Sequence, residues 1–281
     1  DGINIRNKFS HTTFDTIQIN KILQKLKEKK IENVILEASS HGLNQNRLDG
    51  LEFDIGIFTN LTRDHLDYHK TFKNYFNSKL ILFKKLLKKK SYAIYDDELK
   101  ISSNLNKITK YNKIKRLTLG NSKSSFTIIN HQFLKDEQKI TFTFDKRKYS
   151  FSTKLIGSIQ IKNLLMAIMA AMKSKILLEK ILKIIQKIKP VNGRLEKVGN
   201  LHNNGIVILD YAHTPDALRS CIKNVKEQFK LRKINLVFGC GGERDKPKRK
   251  IMGNIANRYC DKIFLTDDNP RSEDPKKIRR D

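Results

Sequence analysis

The string EASSHGLNQNRL, Glu37 to Leu48, gathers a carboxylate, hydroxyls, amides and a guanidinium into one short stretch. Glu37 falls where a strand is expected to end, and its oxygens suit a hard cation such as magnesium, which commonly sits beside phosphates. Ser39, Gln45 and Arg47 suit an anionic, sugar-bearing ligand, with Arg47 able to grip a phosphate or carboxylate through two parallel hydrogen bonds. A turn capped by serine and asparagine would use the same residue types. A second string, FTNLTRDHLDYH from Phe58 to His69, sets Asn60, Asp64, His65 and His69 behind another expected strand. There, a second metal ligand or a group that stabilises an acyl phosphate can sit. A single loop histidine is usually structural, whereas two strand ends that each carry a ligand type form a stronger pattern. Three later strings, DYAHTPD, GCGGERDK and TDDNPRSEDP, crowd further charged and amide side chains behind short apolar runs.

Those strings need strands to deliver them. Apolar spacing at Ile17, Ile19, Ile22, Leu23 and Leu26 predicts a helix that leads into a buried strand over Val34 to Leu36. A second strand is expected at Asp54 to Phe58, a helix at Tyr75 to Lys88, antiparallel strands between Arg116 and Thr153, and an apolar helix around Leu164 to Met172. From Gly205 the pattern becomes strand (Ile206 to Leu209), helix (Pro215 to Phe229), strand (Ile234 to Phe238), helix (Arg249 to Tyr259) and strand (Ile263 to Leu265). Such alternation implies an α/β fold with an open parallel sheet, whose ligands sit at the carboxyl ends of the strands. The best domain boundary lies near Pro190 to Gly193, and 281 residues suffice for two cores.

Lys and Arg number 57 against 29 Asp and Glu, a net charge of +28 that is also the footprint of a nucleic-acid binder. The lysines recur along the whole chain without a basic tail or a nucleic-acid motif, so most are expected on solvated helix faces, and no specific nucleic-acid partner is expected. Affinity for polyanions should be non-specific and fade with salt. No stretch has the roughly 20 apolar residues of a membrane span. Cys221, Cys240 and Cys260 lack paired metal spacing and are expected to be reduced, packed thiols in a cytoplasmic protein.

Taken with YFNSKLILF, GRLEKV, DYAHTPDAL, FGCGGERDKPKRKIMG and DDNPRSEDP, the two opening strings resemble the Mur ligase family, in order over nearly the whole chain. Within that family they are most similar to the branch that adds meso-diaminopimelate to a UDP-linked muramoyl dipeptide in peptidoglycan synthesis. The resemblance implies a P-loop-ATPase-like central domain over residues 1–191 and a Rossmann-like C-terminal domain over 192–281, both partial. No GxxGKT phosphate loop occurs in the sequence. The implied start therefore falls inside the central domain and the implied end before the last C-terminal segment, so that these residues alone should not catalyse.

The same resemblance implies roles. Thr12, Thr13, Ser39, Gln45 and Arg47 match contacts to the UDP-muramoyl substrate, although Phe14 stands where proline is usual, and adjacent threonines before a helix are also a plain N-cap. Lys79 matches a lysine carried as a carbamate, N6-carboxylysine, which joins Glu37 and His65 on magnesium; on composition alone it would be one more lysine on an amphipathic helix. Asn163, Arg194 and Asp210 match contacts to ATP, with Gln160 in place of a common asparagine and His213 either near the phosphates or at a helix start. Arg244, Asp268, Asn269, Pro270 and Arg271 match the set that recognises meso-diaminopimelate, whose distal carboxylate a fixed arginine can select against lysine. ATP and magnesium are thus the implied cofactors, and the implied enzyme is a monomer. A folate-polyglutamylating relative, a basic nucleic-acid module and a non-catalytic remnant stand as the alternatives. EASSHGLNQNR with DDNPR argues against the first, and only charge favours the second.

Overall fold

The computed structural model describes residues 12–281, which divide into two compact units. One runs to Thr59 and takes in Tyr68–Thr118; the other joins Asn60–Asp67 to Leu119–Asp281.

In the first unit, helix α1 (Thr16–Glu28) starts at Asp15, whose carboxylate accepts from the Gln18 amide at 2.9 Å. Lys25 and Lys27 occupy its last turn, where cations complement the helix dipole. Ile19 buries against Leu43, Leu48 and Leu86. The strand expected at Val34 to Leu36 does not form. Ile35 is 95% exposed, and no strand among the described residues pairs with the run. An apolar run becomes a strand only when neighbouring backbone satisfies its N–H and C=O groups.

Beyond this run come α2 (Ser40–Asn44), β1 (Phe53–Phe58), α3 (Leu66–His69) and α4 (Phe72–Ile81). Helix α4 continues as a π-helical turn, Leu82–Leu86, into β2 (Leu87–Asp96), and α5 (Ser102–Tyr111) and β3 (Lys115–Gly120) follow. The helix predicted to reach Lys88 therefore ends early. Ala93, Ile94 and Tyr95 of β2 are fully buried and pair in parallel with Gly56, Ile57 and Phe58 of β1, which draws the lysines of 88–90 into the strand. Pairing with a distant strand overrides the helical spacing.

The second unit opens with the antiparallel meander β4 (Phe126–Phe133), β5 (Gln138–Phe144) and β6 (Arg147–Thr153), as expected, with Phe126 stacked on Phe142 at 4.9 Å. One departure is the end of β3, where Leu119 and Gly120 run parallel to Phe126 and Thr127. Helices α6 (Ser158–Lys173) and α7 (Leu178–Ile184) follow, then β7 (Glu196–Asn200), β8 (Ile206–Leu209), α8 (Pro215–Gln228), β9 (Asn235–Phe238), α9 (Pro247–Tyr259), β10 (Lys262–Leu265) and α10 (Pro275–Arg280). Strands β9 and β10 are parallel, and Leu218, Ile222, Met252 and Ile255 of α8 and α9 pack with Leu236 and Phe238. Strand β8 instead pairs antiparallel with β7, Glu196 opposite Leu209. The alternation of strand and helix is thus as expected, but the ladder of β8 is not. Asn224 of α8 fixes the start of α6: its Oδ1 accepts from the Ile159 amide at 3.0 Å, and at Gly157, with φ +85°, a Cβ would strike it. No helix among the described residues is long and apolar enough to cross a membrane.

Candidate active site

The first cluster assembles around Thr13, which is 3% exposed. Its hydroxyl donates to the Glu37 carbonyl at 2.8 Å, lies 2.8 Å from the Ser39 hydroxyl and accepts from the Ser39 amide at 3.0 Å. Arg47 donates to the Thr13 carbonyl at 2.8 Å and to Gln45 Oε1 at 2.5 Å. Gln45 in turn donates to the Tyr68 hydroxyl, which donates to Asn44 Oδ1. Thr13, Ser39, Gln45 and Arg47 are therefore brought together, with the Glu37 main chain among them. Thr13 is not a helix cap, since Asp15 caps α1, and Ser39 caps α2 by accepting from the Gly42 amide at 3.1 Å. Gly42 is required here: a Cβ would come within 2.7 Å of the Thr13 side chain. Thr12 is exposed beside the cluster in sequence. Tyr68 of α3 and Asn44 of α2 were not singled out by sequence; a tyrosine hydroxyl carries no signal until the fold closes on it.

Lys79 sits in α4 between buried Ser78 and Leu80, half-buried, with its Nζ 5.1 Å from the Tyr75 ring centroid. That setting differs from the exposed faces that hold most lysines. Buried His69 links its surroundings: Nε2 lies 3.0 Å from Ser40 Oγ, and Nδ1 lies 3.4 Å from Ser78 Oγ. Glu37 is exposed, with its carbonyl engaged by Thr13, and both Glu37 and Lys79 belong to the first unit.

His65 belongs to the second unit and adopts φ 53°, with its amide donating to Asp64 Oδ1 at 2.8 Å. Asp64 also faces two imidazoles, His65 Nε2 at 3.6 Å and His213 Nε2 at 4.0 Å. No group of three His, Cys, Asp or Glu that could hold a metal occurs among the described residues. Of the three implied donors, Glu37 and a carboxylated Lys79 fit magnesium in kind, and His65 would bring an imidazole nitrogen. Glu37 offers carboxylate oxygens and carboxylation would give Lys79 the same, whereas its amine as such is a cation and no ligand.

Asn163 lies exposed on α6, one turn beyond Gln160, and Gln160 donates to the Arg194 carbonyl at 3.0 Å. Asp210 accepts from the Leu195 amide at 2.9 Å, and the Arg194 guanidinium lies 4.9 Å above the Tyr211 ring. Arg194 and Asp210 thus border one turn, formed where Gly193 takes φ +68° and donates to Glu196 Oε2, and from α6 it is Gln160 that reaches it. His213 Nδ1 contacts the Tyr211 carbonyl at 3.0 Å, which places a proton on Nδ1 in that bond.

The loops after β9 and β10 close on each other. Gly242 N donates to the Asn269 carbonyl at 2.9 Å, Arg271 Nη1 donates to the Gly242 carbonyl at 2.6 Å, and a Cβ on Gly242 would overlap the Pro270 carbonyl. Asn269 shapes its own turn by accepting from the Arg271 amide at 3.3 Å, and Pro270 is half-buried under it. Asp268 is exposed beside this turn. Arg244 points elsewhere, to Asp67 at 3.8 Å, in an exposed pair that contributes little stability. Beneath both loops lies Arg249, only 5% exposed, which sequence reasoning did not single out because one cation among 57 carries no mark. The three thiols are free, as expected; burial pushes Cys221 up to about 12 and raises Cys240 and Cys260, which makes all three poor nucleophiles.

Strand-end loops rich in amides, carboxylates and guanidinium groups on an α/β scaffold mark an enzyme that handles anionic ligands. The chain belongs to the Mur ligase family: the family profile for the Mur ligase middle domain matches residues 2–171, and that for the Mur ligase, glutamate ligase domain matches 193–281. It is 41% identical over 270 residues to a UDP-N-acetylmuramoyl-L-alanyl-D-glutamate–2,6-diaminopimelate ligase of Rickettsia conorii, covering 95% of this chain and 55% of that protein. A Chelativorans protein of the same name is 38% identical over 96% of this chain and 56% of its own length. A solved structure of such a ligase superposes with a TM-score of 0.71 at 31% identity, over 97% of this chain and 55% of that one. The chain spans about half the length of the curated relatives it matches.

Proposed function

We propose that the full-length protein is an ATP-dependent ligase that joins meso-diaminopimelate to UDP-N-acetylmuramoyl-L-alanyl-D-glutamate, acting as a cytoplasmic monomer in peptidoglycan synthesis. The observation that carries this reading is the DDNPR loop after β10, hydrogen-bonded to the GGERDK loop after β9, in a chain 41% identical to a ligase of that name. We divide the work between residues 1–191, for nucleotide and UDP-muramoyl substrate, and residues 192–281, for the incoming amino acid.

In this reading Thr12, Thr13, Ser39, Gln45 and Arg47 orient the UDP-muramoyl dipeptide. Asn163, Arg194 and Asp210 hold ATP at the Gly193 turn. A D-glutamyl carboxylate takes the γ-phosphoryl group to give an acyl phosphate and ADP, and the diaminopimelate amine then displaces phosphate to form the amide. The protein contributes orientation and charge neutralisation, the usual division of labour in phosphoryl transfer. Magnesium, held by Glu37, His65 and carboxylated Lys79, would offset phosphate charge when bound. Arg271 and Arg244, with Asp268, Asn269 and Pro270, select the acceptor through its distal carboxylate. The test is amide formation by the full-length protein with ATP, magnesium and the UDP-muramoyl dipeptide, with diaminopimelate, lysine and glutamate offered in turn. Incorporation of diaminopimelate alone supports the proposal, and preference for lysine or glutamate sinks it.

A further inference from the structure

A buried cation with no part in the reaction as drawn sits under the two acceptor loops. Arg249, on the first turns of α9, has a side chain 3% exposed. Its Nη2 donates to Glu273 Oε1 at 3.0 Å, to Glu273 Oε2 at 3.1 Å and to the Gly241 carbonyl at 3.4 Å; its Nη1 donates to Asp281 Oδ2 at 2.6 Å. Glu273 carries the link onward. Its carboxylate accepts from the Glu243 amide at 2.5 Å and faces Lys246 at 3.4 Å, while the Glu243 carboxylate accepts from the Ser272 hydroxyl. One guanidinium therefore contacts the loop after β9 at Gly241 and, through Glu273, both that loop at Glu243 and the loop after β10.

We propose that Arg249 is a positioning residue for amino-acid selection, fixing the register between the 241–245 and 268–273 loops so that Arg244 and Arg271 keep one mutual placement. This inference rests on the function proposed above. Three features support it. The Arg249 side chain is 3% exposed and that of Glu273 18%, so removal of Arg249 leaves Glu273 with only the longer charged contact to Lys246, and the frame loses its shortest charged link. Arg249 reaches two carboxylates through separate nitrogens, Nη2 to Glu273 and Nη1 to Asp281, a spread that a single lysine ammonium matches poorly. Glu243 and Arg271 both hold left-handed backbone, at φ 53° and 51°, which surrounding contacts must maintain. Arg249 reaches neither Arg244 nor Arg271 directly, so its effect on the acceptor must pass through the loops.

The test uses the full-length protein with Arg249→Met and Arg249→Lys, and with Glu273→Gln as a milder cut should Arg249→Met fail to fold. Arg249→Met should raise the KM for meso-diaminopimelate about tenfold or more, leave the KM values for ATP and the UDP-substrate within about twofold, and narrow the preference over lysine. Amide hydrogen exchange should rise about tenfold or more in 241–245 and 268–273, with α8 unchanged, and Arg249→Lys should recover part of both effects. Equal losses for all three substrates, or unchanged exchange in the two loops, would overturn the proposal. If the parent protein adds no diaminopimelate, the ligase reading fails while the exchange measurement still decides whether Arg249 holds the loops.

Discussion

The Thr13 cluster and the paired loops after β9 and β10 solve the same problem with different forces. Around Thr13, short neutral hydrogen bonds run from hydroxyl to main chain, and Arg47 adds one charged group that is partly exposed. Under the acceptor loops a buried ion pair, Arg249 with Glu273, holds the frame while Arg271 braces it from above. Neutral bonds are individually modest and fail one at a time, whereas a desolvated pair fails as a unit. Damage to the first region should therefore be graded, and damage to the second should be abrupt.

The largest effect expected lies near the first region but outside its hydrogen bonds. Lys79→Ala in the full-length enzyme should lower turnover on the order of a thousand-fold by removing a carboxylate from magnesium, with partial recovery on adding short carboxylic acids. Substrate affinities at the Thr13 cluster should stay near the parent values. Activity equal to the parent would remove the carbamate assignment.

Next comes Arg271→Ala, which should raise the KM for diaminopimelate by about 30-fold or more, since loss of one charged partner costs about 2–5 kcal/mol. ATP and UDP-substrate kinetics should be nearly unmoved. Varying each substrate in turn separates this outcome from a general folding defect, which would weaken all three together.

Two glycines offer a matched pair. Gly42→Ala would press a methyl onto the Thr13 side chain, and Gly242→Ala would press one onto the Pro270 backbone. A side chain can give by rotating, at the expense of its three hydrogen bonds; backbone cannot give without moving the loop. Gly242→Ala is thus expected to cost about 1–3 kcal/mol and several degrees in Tm, and Gly42→Ala to fall at the low end of that range. Calorimetry on both variants checks the order, and steady-state kinetics should show the first harming diaminopimelate use and the second the UDP-substrate.

How much of this was legible beforehand differs between the regions for the same physical reason. In the first, the string EASSHGLNQNRL held most of the cluster: Ser39, Gln45 and Arg47 were marked by residue type, Thr13 only by the family resemblance, and the structure joins them. Tyr68 and His69 escaped as partners because their contacts depend on α3 folding back toward Ser40 and Asn44. In the second, the loop residues were marked, but Arg249 and Glu273 were not, because burial rather than identity makes them important. The strand at Val34 to Leu36 failed from the opposite side. Its residues read correctly as apolar, but pairing is a property of neighbours that local pattern does not contain.

The smallest expected effect tests the contrast most directly, by acid. Glu273 is held well below the ordinary glutamate value of 4.5, at about 2, chiefly by the Arg249 hydrogen bond and then by the Glu243 amide. A carboxylate depressed in the folded state contributes stability that is fully present above 4.5 and is lost as pH falls through about 2. Arg249, raised above its ordinary value chiefly by the Glu273 hydrogen bond, stays charged throughout this window. Protection of the Glu243 amide, corrected for intrinsic exchange, should hold from pH 7 to about 3 and fall toward pH 2. The Ser39 amide, whose partner is the Thr13 hydroxyl, should show no step of its own there. In Arg249→Met the Glu273 carboxyl resonance should titrate closer to 4.5, and the Glu243 step should move up with it. A Glu273 midpoint that ignores this substitution would show that the two loops are held by neutral contacts after all, and the difference between the regions would then be one of degree.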